Sequence, residues 1–435
     1  MLAPPVHHGM TVLNREAFKK SLQTLALRVP AKKVTLIRKT MSPDILDLPR
    51  MRNVIPDPES KDTRLLLLRY DLQDVNGLSP ESQKFLEEEH LSVIKHTIDL
   101  DYSFWTTEQI LHAVIPDTIK EIPSAYTQVG HIAHMNLREE LYPWKQLIGQ
   151  VLLDKNKNIT SVVNKINNID TTFRFFQMEV LAGDTNMVAE VKESGCRFKF
   201  DFSKVYWNSR LHTEHDRLIK LFGKDQLVCD VFAGVGPFAV PAAKKGVTVY
   251  ANDLNPESYH WLRVNKSHNK IPDMNLKPYN MDGREFIRQA VHDLAVANKD
   301  EWKTFDHFVM NLPDTAIEFL DAFRGLYKDQ KHLYDSLDPA PALPMVHCHC
   351  FTKSEDPAQD IAKRVNQVIG SPYDTSLSNL HWVRNVAPKK DMYCISFPLT
   401  PEMVFGCKTT GKRTQNQLDE TLSPPPNDSL KKQAV

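Results

Sequence analysis

Two glycines, Gly234 and Gly236, sit in the stretch DVFAGVGPF, between the apolar run LVC and the helical candidate PFAVPAAKK. A glycine turn between a strand and a helix lets backbone approach a ligand closely, because no side chain fills the space. Acids flank it: Asp230 ends the apolar run, and Asp253 ends the next one, VTVYAND. Gly234, Gly236 and Ala239 satisfy G-x-G-x-x-G/A, with Asp253 at about the distance where an acid holds a ribose hydroxyl, so spacing alone admits a dinucleotide. No Lys-Ser/Thr pair follows the glycines, which excludes a phosphate loop. Pro237 weighs against a pyrophosphate, since proline at a helix start removes one of the N–H groups that would bind it.

A cofactor without phosphates loses less from that proline. S-Adenosylmethionine needs close backbone approach, an acid for its ribose and a carboxylate for its cationic amino-acid arm, and Gly234, Gly236, Asp253 and Asp230 supply these. Asp282, in YNMDGREF, stands after the third strand, where adenine-edge contacts are made; capping the helix GREFIRQA is an equal and compatible use. Phe232, Leu254 and Gly283 adjoin these acids and glycines and, with Asn311, complete the expected donor-binding set. In VMNLPDTAIEFL, Asn311 and Pro313 follow a fourth strand, whose end borders the same crevice when the strand order is 3-2-1-4. An Asn side chain there offers both a donor and an acceptor to a planar nitrogen base.

The elements that position these residues are legible from Lys199 onward. LVCDVFA, VTVYAND, LKPYNM, FDHFVMN and MVHCHCF read as strands, with PFAVPAAKK, PESYHWLRVNKSHN and GREFIRQAVHDLAVA as helices between the first four. Such alternation predicts parallel βαβ units and an open sheet covered on both faces. LHWVRNV and MYCISF flank APKKD as an antiparallel hairpin. MVHCHCF also brings His347, Cys348, His349 and Cys350 together, but alternate strand residues face opposite ways and no second CxxC or HxxxH is present, so no metal site is expected.

The expected organisation is a basic arm and linker over 1–60, a small α/β module over 61–123, a β-rich module over 124–195, a catalytic domain over 196–405 and a disordered tail over 406–435. The chain has 435 residues, enough for several domains, and 54 basic against 54 acidic side chains, so net charge advertises no particular partner. Up to Met41 the only acid is Glu16, which suits a transit segment, a nucleic-acid arm or a solvated face. The six cysteines form no framework and no apolar run is long enough to span a membrane, so a soluble protein of a reducing compartment is expected.

Together, DVFAGVGPF, ANDLNPES, MNLP followed by EFL, and VRNVAP closely resemble the tRNA (guanine-37-N1)-methyltransferase family of eukaryotes and archaea. The likeness extends upstream through IGQVLLDK, NKINNID, FRFFQMEVLAG and FDFSKVYWNSRLHTEH, and covers about Thr63 to Phe405. It implies a Rossmann-like class I methyltransferase domain, with a mixed, mostly parallel sheet, preceded by two smaller α/β and β-rich domains that hold tRNA. It implies methylation of N1 of guanine 37 from S-adenosylmethionine, in support of reading-frame maintenance, by a monomer in cytoplasm, nucleus and mitochondrial matrix. The partner is tRNA, through its anticodon stem-loop and body.

Guanine N1 carries a proton and no free lone pair, so methylation there needs a base, and a donor to O6 where charge builds. By resemblance Glu214 is the base, its pKa raised by desolvation, Arg174 the O6 donor and Tyr206 the residue that stacks on or positions the base. Plainer uses are open for each: a solvated first-turn Glu214 behind a Thr213 cap, a paired Arg174, a core Tyr206. Two other activities also stay open, aminocarboxypropyl transfer from the same donor in the wybutosine pathway and NAD-dependent oxidoreduction, as does a catalytically silent tRNA-binding protein.

Overall fold

The structure is a computed structural model, described here for residues 2–123, 125–169, 176–299, 301–371, 373 and 375–406. The chain divides into two compact units, Met1–Lys192 with Phe198–Ser209, and Glu193–Arg197 with Arg210–Val435.

The first unit holds two four-stranded sheets. One has the order Val54–Pro56, Thr63–Leu67, Lys20–Pro30, Ser92–Leu100, all antiparallel. Its inner strand, Lys20–Pro30, lies within the stretch expected to be an arm. The physical reason is burial: Leu25, Leu27 and Val29 pack with Ile37, Met41 and Ile45 in one core cluster, while the lysines and arginines stand around its rim. Nor is 43–60 a linker. Asp44, 2% exposed, accepts the backbone N–H and the hydroxyl of Ser79, and Val54–Pro56 is a strand of the sheet.

The second sheet runs Thr127–Val129, Ile132–Met135, Ser161–Ile169, Phe176–Gly183, backed by the helix Lys145–Lys155. A single core cluster joins Leu65 and Ile110 with Ala133, Val151 and Leu181, so no domain boundary falls at 123/124. The segment 198–209 also belongs to this unit, which moves the start of the second unit's main body from 196 to Arg210. The expected tail from Cys407 onward lies outside the described residues.

The second unit carries a seven-stranded sheet built from β1 (Leu227–Asp230), β2 (Thr248–Asn252), β3 (Leu276–Tyr279), β4 (His307–Met310), β5 (Met345–Thr352), β6 (Asn379–Ala387) and β7 (Lys390–Pro398). Its order is 3-2-1-4-5-7-6, parallel except for β7, which pairs antiparallel with β5 and with β6. Among its helices are α1 (His212–Leu221), α2 (Ala239–Lys244), α3 (Pro256–His268), α4 (Gly283–Ala297) and α5 (Pro357–Ile369). Parallel strands fed by crossover helices are buried on both faces, and LVCD of β1 is accordingly buried throughout. The expected Rossmann-like class I methyltransferase arrangement, hairpin included, is what this unit adopts. Among the described residues no helix is long and apolar enough to cross a membrane.

Candidate active site at the carboxyl ends of strands 1 and 4

Strands β1 and β4 are neighbours, with Asp230 opposite Val309, and the sheet order reverses between them. Open α/β sheets bind ligands at such a switch point, beyond the carboxyl ends of the strands. The loop after β1 is held open by its glycines. Gly234 has φ +55° with empty space where a Cβ would stand, and Gly236 has φ +97° with Leu262 and Val240 each 2.7 Å from that position. The loop's N–H groups are tied to the next strand: Ala233 donates to the Asn252 carbonyl at 2.7 Å, and Gly234 to Asp253 Oδ2 at 2.8 Å. Pro237 lies two residues ahead of the regular helix, inside a turn closed by the Val240 N–H donating to the Gly236 carbonyl at 2.9 Å. Helix α2 is regular from Ala239, with Phe238 at its N-cap position.

Asp230 is fully buried, and neither carboxylate oxygen has a hydrogen bond of good geometry; the Phe232 N–H acts on it only weakly. Burial, and then the neighbouring Asp253, raise its pKa to about 8. Asn311, just beyond β4, likewise has a buried Oδ1 without a partner. Buried polar groups are normally paired, so unpaired atoms on adjacent strand ends are acceptors waiting for donors. An ammonium group and a hydrogen-bonding base edge are what they fit, as are the amino-acid arm of S-adenosylmethionine and a nitrogen base.

Asp253 also accepts the Asn255 N–H, at 2.9 Å, and burial raises its pKa to about 6. A carboxylate has about four lone-pair sites, so bracing the loop leaves capacity for ribose hydroxyls. Leu254 beside it is half exposed, an apolar surface at the same edge. Asp282 caps α4, accepting the Arg284 N–H at 2.8 Å, and Gly283 lets that helix approach Phe232, whose ring lies 2.9 Å from where a Cβ would be. Asn252, unremarked in the sequence, ties three strand ends together by bonding the Val231 carbonyl and both backbone groups of Met281.

Glu214 occupies a different setting from the one expected. It sits on α1, 3% exposed, with Arg217 donating to both oxygens at 2.7 and 2.8 Å and His349 Nε2 at 2.7 Å from Oε1. His381 Nε2 lies 3.7 Å from Oε2. Burial pushes the Glu214 pKa up, but Arg217 and His349 outweigh it and bring it down to about 2. The expected rise is therefore overturned, because desolvation is answered by two cationic donors. Thr213 does not cap the helix, which starts one residue earlier with no side-chain cap. The cluster touches the donor loop through Phe238, whose ring meets His215 edge-on at 4.7 Å and His349 at 6.0 Å.

Sequence reasoning missed Arg217, His349 and His381 around Glu214. The three-residue spacing of Glu214 and Arg217 on a helix was the one local signal for a pair. His349 stands in MVHCHCF, a strand motif whose alternation argues against a metal and gives no sign of a carboxylate partner. Ligand-type atoms of Glu214, His349 and Cys394 do lie within 4.8 Å of one another, but Arg217 already occupies both Glu214 oxygens and would repel a cation. Tyr206 belongs to the first unit, half exposed, with its hydroxyl accepting from Asn208 at 3.2 Å. Arg174 lies outside the described residues.

Comparison with known proteins gives two family matches: the TRM5/TYW2 methyltransferase domain over residues 189–338 and the TYW2 N-terminal domain over 107–186. The chain is 46% identical to the tRNA (guanine(37)-N(1))-methyltransferase of Batrachochytrium dendrobatidis, over 97% of this chain and 96% of that one. It is 42% identical to the human protein of the same name, over 97% of this chain and 82% of that one. Among solved structures, a complex of aTrm5 with tRNALeu matches with a TM-score of 0.62 at 20% identity, covering 86% of this chain and all of that one, a likeness of fold.

Proposed function

The chain belongs to the tRNA (guanine(37)-N(1))-methyltransferase family, and from that membership we propose that it methylates N1 of guanine 37 in tRNA. S-Adenosylmethionine supplies the methyl group, as an electrophilic carbon on a sulfonium. The observation that carries the reading is the pair of partnerless acceptors, Asp230 and Asn311, on adjacent strand ends beside an open glycine loop. In this reading Asp230 faces the donor's ammonium group, Asp253 its ribose, and Leu254 and Phe232 the apolar faces of its adenosine. The dinucleotide alternative is opposed by the same feature, since a buried acid that ionises beside a cation offers a pyrophosphate no favourable partner.

Asn311 holds the guanine edge, its amide fixing the base so that N1 lies in line with the methyl group. As the new bond forms at N1, the N1 proton becomes strongly acidic, and a carboxylate of low pKa is then able to take it in the same step. Glu214 is assigned that role. Family resemblance alone assigns Arg174 to O6 and Tyr206 to positioning the base. The chain works on the anticodon stem-loop and body of tRNA as a monomer, in cytoplasm, nucleus and mitochondrial matrix.

Two substitutions separate the halves of the site. Asp230→Asn is expected to weaken binding of S-adenosylhomocysteine at least ~10-fold, as a lost charge-assisted contact does. Asn311→Ala is expected to keep that binding and lose ~100-fold in methyl transfer to a tRNA transcript, the scale of a lost transition-state donor. Equal transfer by wild type and Asn311→Ala would remove the residue from the acceptor site.

A further inference from the structure

We propose that His381 carries the proton from Glu214 to bulk water, and so returns the base to its working form after each methyl transfer; this rests on the reading of Glu214 as the base. Glu214 has almost no surface of its own, with its side chain 2% exposed. A proton it receives must leave through a neighbour. Arg217 holds its proton at any working pH and accepts none. Burial alone would lower the pKa of His349, but Cys394 and Glu214 outweigh it and raise it to about 10, so that imidazole is already protonated. Its side chain is also wholly enclosed.

His381 differs on both counts. Its Nε2 faces Glu214 Oε2 at 3.7 Å, and 42% of its side chain is exposed. Of the described groups around Glu214, it alone combines contact, a basic nitrogen with capacity for a proton, and access to water. Strand β6 places it there: it is the sheet's edge strand, His381 pairs with Cys394 of β7, and Cys394 pairs with His349 of β5. Alternation then turns His381, Cys394 and His349 to one face, the face that α1 covers with Glu214 and Arg217.

The proton balance is simple. As the methyl carbon bonds to N1, its bond to the donor's sulfur breaks and that pair stays on sulfur, while the N1–H bond breaks and its electron pair stays with the ring. The proton passes to Glu214 Oε2, then, once the pair closes from 3.7 Å to hydrogen-bond distance, to the lone pair of His381 Nε2, and the imidazolium releases it to water, restoring a carboxylate and a neutral imidazole. The charged groups facing His381 are Glu214 and Arg217 from α1 and His349 from β5, with Cys394 beside it on β7. Burial first, then Arg217 and His349, lower its pKa, with Glu214 pulling the other way. The imidazole is thus neutral and receptive near neutral pH.

The test uses the full chain, an unmodified tRNA transcript and labelled S-adenosylmethionine, in steady-state turnover from pH 5.5 to 8.5. His381→Gln is expected to lower kcat by ~10-fold or more, to leave the tRNA KM unchanged and to flatten the acidic limb of the pH profile. Added imidazole is expected to restore the rate, more strongly as its neutral fraction grows. Wild-type kcat in His381→Gln, or a loss that imidazole does not restore, would overturn the relay. Glu214→Gln in the same assay checks the premise separately: full activity there would remove the base, and with it any proton for His381 to carry.

Discussion

Asp230 is an acid without a partner in a closed interior, and that defines what the donor site does when empty and when filled. Its pKa is raised to about 8, well above the 3.8 of a free aspartate. A group raised in this way contributes stability that is fully present below its unfolded pKa and lost as pH rises through the folded one, here from about 4 to about 8. An ammonium ion beside it favours the ionised form, so donor binding releases a proton. Affinity for S-adenosylhomocysteine is therefore expected to rise between pH 6 and pH 8, by up to ~10-fold per pH unit, and calorimetry in two buffers of different ionisation heat would count the proton. In Asp230→Asn the pH dependence disappears; its persistence would move the effect to another group. The acids of the donor site were legible because strand-end position and glycine spacing are local patterns. The setting of Glu214 was not, because His349 lies 135 residues further along the chain and reaches Glu214 only once the sheet is formed.

The glycine loop has one position at which a side chain cannot be admitted. At Gly236, φ is +97°, and an added Cβ would stand 2.7 Å from both Leu262 and Val240, which are fully buried. Gly236→Ala combines an unfavourable backbone with overpacking and is expected to cost about 3 kcal/mol. Its thermal midpoint should fall by several degrees and donor binding should be lost with it; a wild-type melting curve would show that the loop relaxes. Gly234 has open space around it, so only its backbone, at φ +55°, disfavours a side chain there. The strands and helices of the second unit were readable because β and α periodicities alternate there without interruption. The inner strand Lys20–Pro30 was not, since KSLQTLALRVP begins and continues among basic residues that suggest an arm. What decides its place is pairing with Thr63–Leu67 and Ser92–Leu100, both distant in sequence.

Over the whole chain, equal numbers of acidic and basic side chains leave no net field to draw in a polyanion, so recognition of tRNA must come from local surfaces. The catalytic sheet supplies the chemistry and the first unit has its own two sheets. The boundaries between small front domains were the least legible feature, because a shared core cluster leaves no composition break where one was drawn. Family, fold and donor-site chemistry converge on one reaction, and product analysis addresses it directly. The protein is incubated with unmodified tRNA transcript and S-adenosylmethionine, and the digested RNA is examined by nucleoside mass spectrometry with fragment mapping. Methyl transfer to guanine N1 predicts N1-methylguanosine at position 37, absent when guanine 37 is replaced. A product bearing an aminocarboxypropyl group, a methyl group on any other nucleotide, or no modification would contradict it.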